Sequence, residues 1–457
     1  MRRTFRIADN APLWNAVAFA AEVIPFVVLS ESPSYRISSH RRLFIRGAVR
    51  SLAADLAARG SNLAVLHGAA PEAIAAFVRR NGIEAVYASR VFDRKSLERD
   101  ALIASALTSV GCRFFTVNSS TLFDPGEIRT AAGEPYRVFT PFSNAVLSRA
   151  NEIEPPFPPP KLIRTPEFHG AKDIMEATGF ALYNPQAGEH QALDRLESFV
   201  ASGIESYATD RDIPSNDGTS GLSPYLANGC IGIRTVYFRA LKAREIASPP
   251  VIRNINVFLK ELLWREFYYH VLAAFPYVIE RSFKPQFERL AWSTNQAHFS
   301  AWREGRTGFP IVDAGMRQLK REGWMHNRVR MIAASFLVKD LHIDWRKGES
   351  FFFDNLIDAD IASNNGGWQW TAGTGTDAAP YFRVFNPIAQ SERFDPHGAY
   401  IRKYIHELSF VPDACIHQPS RLNNVDSYPR PIVDHRRERE VTLQLYGRNM
   451  MRQSASA

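Results

Sequence analysis

Residues 151 to 166 read "NEIEPPFPPPKLIRTP". Proline fixes φ and brings no N–H donor, so neither a helix interior nor a central strand runs through such a stretch. A chain of 457 residues is long enough for two or three domains, and this one is expected to divide here. The two sides differ in rhythm. Residues 22 to 118 alternate apolar runs ("EVIPFVVL", "NLAVLHG", "IEAVYASRVF", "CRFFTVN") with amphipathic stretches ("RRLFIRGAVRSLAADLAARG", "PEAIAAFVRRNG", "KSLERDALIASAL"). That alternation predicts a parallel sheet covered by helices. Beyond residue 188 a three- and four-residue apolar spacing dominates, as in "IRNINVFLKELLWREFYYHVLAAF" and "NRVRMIAASFLVKDL", and predicts helices. The expected layout is an α/β domain over 1–120, a proline-rich linker over 121–188 and an all-α domain over 189–457.

The formal charge is +8 and aromatic residues make up 12% of the chain, a combination suited to a polyanion that also offers flat rings. Three well-separated cysteines, Cys112, Cys230 and Cys415, with no CxxC pair suggest neither a disulfide framework nor a zinc site, which fits a reducing cytoplasm. The early apolar run "AVAFAAEVIPFVVL" is broken by Glu22 and Pro25 and falls short of the roughly 20 residues of a membrane span. No GxGxxG follows any expected strand, so a nicotinamide-type dinucleotide site is not supported.

Several stretches of the helical half carry groups capable of chemistry. Glu261, Trp264 and Arg265 are spaced three and four apart and share one helical face. They form either a surface ion pair beside a core aromatic or one wall of a polar pocket. Asn327, Arg330 and Met331 repeat the same spacing, and Arg328 points elsewhere. Asp358 and Asp360 offer too few oxygen ligands for a hard cation, and no His or Cys cluster joins them, so a salt bridge from Asp358 to a buried arginine is the expectation. Thr219, Ser220 and Ser223 in "DGTSGLSPYLANG" suit either phosphate oxygens or an ordinary loop with an N-cap.

In order along the chain, "TSGLSPYLANG", "WREFYYH", "GFPIVDAGMRQL", "GWMHNRVRMIAASFLVKDL" and "NNGGWQWTAGTGTDAAPYFRVFNP" resemble the DNA photolyase and cryptochrome family. The resemblance implies a U-shaped FAD in the helical domain, contacted by Tyr207, Thr219, Ser220, Leu222, Arg265, Asn327, Arg330, Asp358, Asp360 and Asn364. It places Asn364 opposite flavin N5, where plant cryptochromes carry Asp; a neutral amide there cannot act as an acid, which favours repair over signalling. It further implies that Trp264 and Trp370 flank a flipped-out pyrimidine dimer, while Trp368, Trp345 and Trp292 form an electron-transfer chain to the surface. The two tryptophans of "GGWQW" would then serve different ends, one holding substrate and the other relaying electrons.

Family members that repair (6-4) photoproducts carry "HHLARH" where this chain has "HNRVRM". Without that histidine pair the proton-transfer route is missing, and Glu261, Asn327 and Met331 match the cyclobutane-dimer enzymes. Arg211, Arg328 and Arg383 match DNA-contacting arginines, so the implied partner is UV-damaged DNA, bound by a monomer with salt-sensitive affinity. No metal is implied. Against the family pattern the chain opens at "MRRTFRIADNAPL" without the usual first apolar strand. A first strand is central in a doubly wound sheet, so two unpaired neighbours are expected, from a start further upstream or a weakened α/β domain. The resemblance also implies an antenna in that domain, folate or deazaflavin, between which "SRVFDRKSLERD" does not choose.

Overall fold

The computed structural model describes residues 1–29, 37–173, 182–422 and 427–454. Residues 174–181 of the expected linker lie outside them. The chain forms two compact units, one of Met1–Tyr136, Thr140–Glu205 and Ser220–Pro276, the other of Arg137–Phe139, Ser206–Thr219 and Tyr277–Ala457.

In the first unit the alternating runs become strands β1 (Phe26–Leu29), β2 (Ala64–His67), β3 (Ala85–Ser89) and β4 (Arg113–Val117), with helices between them. β1 pairs parallel with β2 and β3 with β4, while a short β5 (Lys172–Asp173) adds antiparallel to β2. Successive strand side chains point to opposite faces, and β2 buries both: Val65 joins Val27 and Leu52, whereas Ala64 and Leu66 join Phe77 and Val86. A strand apolar on both faces is what a helix-covered parallel sheet requires.

The strands fall into two sheets, ordered β1-β2-β5 and β3-β4, leaving one edge of β1 unpaired and β3 paired only with β4 among the described residues. Two neighbouring strands with an open edge were the expectation from the sequence. The first residues touch both strands: the Met1 ammonium donates to the Phe26 carbonyl, and Arg2 donates to the Ser89 carbonyl while pairing with Asp100. The proline-rich segment is less irregular than its composition suggests, since it contains a helix, Phe139–Ser148. Phe139, Phe142 and Val146 are buried at three- and four-residue spacing, a signal short enough to be masked by the surrounding prolines.

Helices dominate the second unit, where Pro310–Glu322 is enclosed along most of its length. Its buried Asp313 accepts from the Thr307 and Gly308 backbone N–H groups, the Thr307 hydroxyl and the Tyr428 hydroxyl, so the carboxylate is fully satisfied. One core cluster unites Trp302, Trp345 and Trp368, and Trp292 packs against it. Helix Asn327–Ser335 runs on into a π turn, Phe336–Asp340. No helix among the described residues is long and apolar enough to cross a membrane.

Candidate functional site

In the first unit, helix Pro249–Ala274 carries Glu261, Trp264, Arg265 and Tyr268 on its incompletely buried stripe, between buried Leu262, Leu263, Glu266 and Phe267. Trp264 lies against the rings of Phe267 and Tyr268, with centroids 5.9 and 5.6 Å away. Arg265 donates to the Ser120 carbonyl at 2.5 Å and its guanidinium stands 4.7 Å over Tyr269. The buried Glu266 fixes this helix to the loop below by accepting from the Leu122 and Phe123 N–H groups, both at 3.0 Å. The helix thereby presents an acid, a large ring and a cation together, with Arg265 also bound to the loop. Ser220 and Leu222 precede the short helix Ser223–Asn228, and the Ser220 carbonyl accepts from Arg195 at 2.8 Å.

In the second unit the expected partner of Asp358 is Arg330, Nη2 to Oδ2 2.8 Å, with the aspartate side chain 2% exposed. Arg330 also donates to the Met325 carbonyl, which sets its direction. Asn327, Arg330 and Met331 form the incompletely buried stripe of their helix, whereas Val329 and Ile332 face the core. Arg328, on the other side, pairs with Asp212 at 2.8 Å and covers Phe394. Arg211 stands over the Tyr207 ring, and Arg383 is exposed beside Phe385. Buried His326 caps the helix by accepting from the Arg328 N–H; burial and then Arg330 push its pKa down to about 4, so it stays neutral.

Asp358 and Asp360 precede helix Ile361–Ala372, and Asp360 is its N-cap, accepting from the Ser363 N–H at 2.9 Å. The double glycine thus falls within a helix. A two-residue offset on a helix is about 200°, so Trp368 and Trp370 point to opposite sides. Trp368 is 3% exposed in the core, edge-on to Phe352 and Trp302. Trp370 is half-buried, and on its side a Cβ at Gly367 would meet nothing within 4 Å. The Asn364 amide NH2 donates to the Glu349 backbone carbonyl at 3.0 Å, which leaves its carbonyl oxygen as the end presented elsewhere. Trp345 is fully buried at the start of the next-nearest helix in sequence, Trp345–Asn355, and Trp292 is half-buried.

Three features of this region escaped the sequence. Trp302 hydrogen-bonds the Ala333 carbonyl at 3.0 Å beside Trp368. Glu349, whose carboxyl burial pushes up to about 7, accepts from Asn365 at 2.9 Å. Gly348 faces the Trp368 ring so closely that an added Cβ would overlap it and lie 2.6 Å from Leu337 Cδ2. Only the last had a visible signal, a glycine inside a helical stretch. Gly348→Ala is therefore expected to lower stability by about 1–3 kcal/mol through overpacking; an unchanged unfolding midpoint would mean that the ring moves aside freely.

The family described as "FAD binding domain of DNA photolyase" matches residues 258–448, and that described as "DNA photolyase" matches residues 1–161. The deoxyribodipyrimidine photo-lyase of Salmonella typhimurium is 39% identical, with 97% of each chain covered. Among solved structures, a class III photolyase from Agrobacterium tumefaciens superposes with a TM-score of 0.91 at 35% identity, covering 99% of this chain and 97% of the other. A Synechocystis cryptochrome gives 0.89 at 28%, covering 97% and 98%.

Proposed function

Because the chain belongs to the DNA photolyase family, we propose that it repairs cyclobutane pyrimidine dimers in DNA under blue light, with reduced FAD as the electron source. The observation that carries this reading is the opposed pair on one helix, Trp368 in the core and Trp370 on the side that Gly367 leaves open. When bound, FAD would supply light-driven electron transfer to and from the dimer.

The residues fit such a group. Asn364 has its amide nitrogen engaged, so its carbonyl oxygen is the acceptor offered to a ring N–H. Arg330 and Asp358 form a nearly neutral pair, with the cation partly exposed and the anion buried, able to bind polar ring edges without an uncompensated charge. Tyr207, Thr219, Ser220, Leu222 and Arg265 complete the proposed cofactor contacts, and Asp360 acts by holding the start of the helix that presents Asn364. On the substrate side, Trp264 and Trp370 offer flat apolar faces to extruded bases, and Glu261 and Asn327 offer a carboxyl and an amide to their edges. Met331 fills the apolar remainder with an adaptable side chain. Arg211, Arg328 and Arg383 meet phosphates, Arg328 being oriented by Asp212.

Electrons would be supplied from the surface through half-buried Trp292 to buried Trp345 and Trp368. Trp264→Ala is expected to weaken dimer binding by about 1–3 kcal/mol per unstacked base; equal affinity of parent and variant for dimer-containing oligonucleotide would remove Trp264 from the site. The reading as a whole is tested with the purified protein, anaerobically reduced, on a short oligonucleotide carrying one cyclobutane thymine dimer. Restoration of thymines in blue light and not in darkness is expected. A flavin-loaded protein that restores none would reject repair in favour of light sensing.

A further inference from the structure

A fully buried ammonium stands at the end of the helix that carries Trp368 and Trp370. Lys339 belongs to the π turn Phe336–Asp340, which continues the helix bearing Asn327, Arg330 and Met331, and it is 1% exposed. Its Nζ donates to the carbonyls of Ala372 at 3.1 Å and Tyr381 at 3.4 Å, and lies 3.7 Å from the centre of the Tyr446 ring. Among the described residues no carboxylate pairs with it; the neighbouring Asp340 is engaged with His435. An unpaired interior charge is costly. A methionine of similar length would fill the same space without that cost, so the charge invites a functional account.

Its two acceptors bracket a single turn. Ala372 is the last residue of helix Ile361–Ala372, where carbonyls lack an intrahelical donor and a cation is favoured by the helix dipole. Gly373 leaves the helix with φ +78°, a conformation suited to glycine, and the Ala379 N–H returns to the Trp370 carbonyl at 3.2 Å. The second acceptor, Tyr381, stands two residues before Arg383. Tyr446 closes the arrangement: its hydroxyl shares the Ala372 carbonyl at 2.6 Å and its ring stacks on Tyr381, 5.9 Å away and 3° from parallel.

We infer that Lys339 is a positioning residue for lesion recognition, its ammonium holding both ends of the turn 373–381 so that Trp370 and Arg383 keep a fixed spacing. The inference rests on the repair reading for the roles of those two residues. The groups facing Lys339 are Lys284, Tyr381 and Tyr446. Burial, and then the Lys284 charge, lower the Lys339 pKa to about 7 from the usual lysine range, while burial keeps Tyr446 neutral. The charged form makes the stronger, charge-assisted bonds to the two carbonyls, so lesion affinity falls as pH rises through about 7. Folding stability moves the other way. Between about pH 7 and the ordinary lysine pKa near 10.4 the unfolded chain holds the proton and the folded one does not, so stability rises with pH across that window.

The test compares the flavin-loaded parent with Lys339→Met and Lys339→Gln. Dark binding to dimer-containing and undamaged oligonucleotides is measured from about pH 6 to about pH 8.5, spanning the titration, with melting temperatures alongside. The parent is expected to lose dimer affinity across that range. K339M should bind the dimer roughly tenfold more weakly at the acid end, as for loss of hydrogen bonds from a charged donor, show no pH step, and melt no lower than the parent. K339Q, which keeps two N–H donors without the charge, should recover part of the affinity with a flat profile. That profile carries the test should K339M fail to fold. Parental affinity and pH profile in K339M, or an affinity loss matched by a lower melting temperature in both variants, overturns the inference alone. A parent that does not distinguish dimer from undamaged DNA overturns the repair reading and this inference with it.

Discussion

Trp368→Phe is expected to abolish photoreduction of the oxidised flavin while leaving repair by chemically reduced protein close to the parental rate. Trp368 sits 3% exposed inside the core cluster that contains Trp345 and is bordered by Trp292, so removing its indole takes out the proposed innermost link without touching the open face of the helix. Phenylalanine keeps the apolar contacts to Phe352, so the structural loss should stay at about 1–2 kcal/mol, below the ~3–5 kcal/mol of truncation to alanine. Trp302 supplies the control. It stands edge-on to Trp368 at 6.2 Å, fully buried, with its N–H bound to Ala333, and Trp302→Phe should preserve photoreduction if electrons arrive through Trp345. Measured rates under illumination with an external donor, and after anaerobic chemical reduction, decide the matter. Parallel loss of both activities in the Trp368 variant would show that its ring serves the repair step itself.

The largest stability effect is expected at Arg330→Met. Its partner Asp358 is 2% exposed, and taking the cation away from a buried carboxylate is expected to cost up to about 3–5 kcal/mol. The variant should also release flavin during purification, because the same two groups are the proposed contacts to its ring. Pairing Arg330→Met with Asp358→Leu should restore part of the stability, since an apolar side chain replaces the buried carboxylate, yet should not restore flavin retention. Urea unfolding and the flavin-to-protein absorbance ratio separate the two effects. Additive losses in the double variant would mean that the residues act independently despite their 2.8 Å contact.

Local periodicity is a property of the sequence itself, and where it is regular it was legible. The apolar runs at 26–29, 64–67, 85–89 and 113–117 are the observed strands, and the stripe of Glu261, Trp264 and Arg265 lies on one side of a real helix. Side-chain chemistry carried one step further: Asp358 was expected to pair with a buried arginine, and it does pair with an arginine, though one that is partly exposed. Which of many arginines answers it depended on how helix Asn327–Ser335 is placed, since Arg330 is 28 residues away in sequence. The ordered motifs also assigned different roles to Trp368 and Trp370. That the two rings point apart came from the helix, which two glycines made hard to read because they contribute no side chain to the pattern.

What the sequence by itself determined is therefore the regularly patterned elements, the fold class and the family. Tertiary structure alone decided that Gly348 makes room for Trp368 and that Lys339 reaches the carbonyls closing the turn after Trp370. The physical reason is common to both. Each is a contact between segments distant in sequence, fixed by close packing and by satisfaction of buried polar groups, and neither condition leaves a periodic trace in the chain.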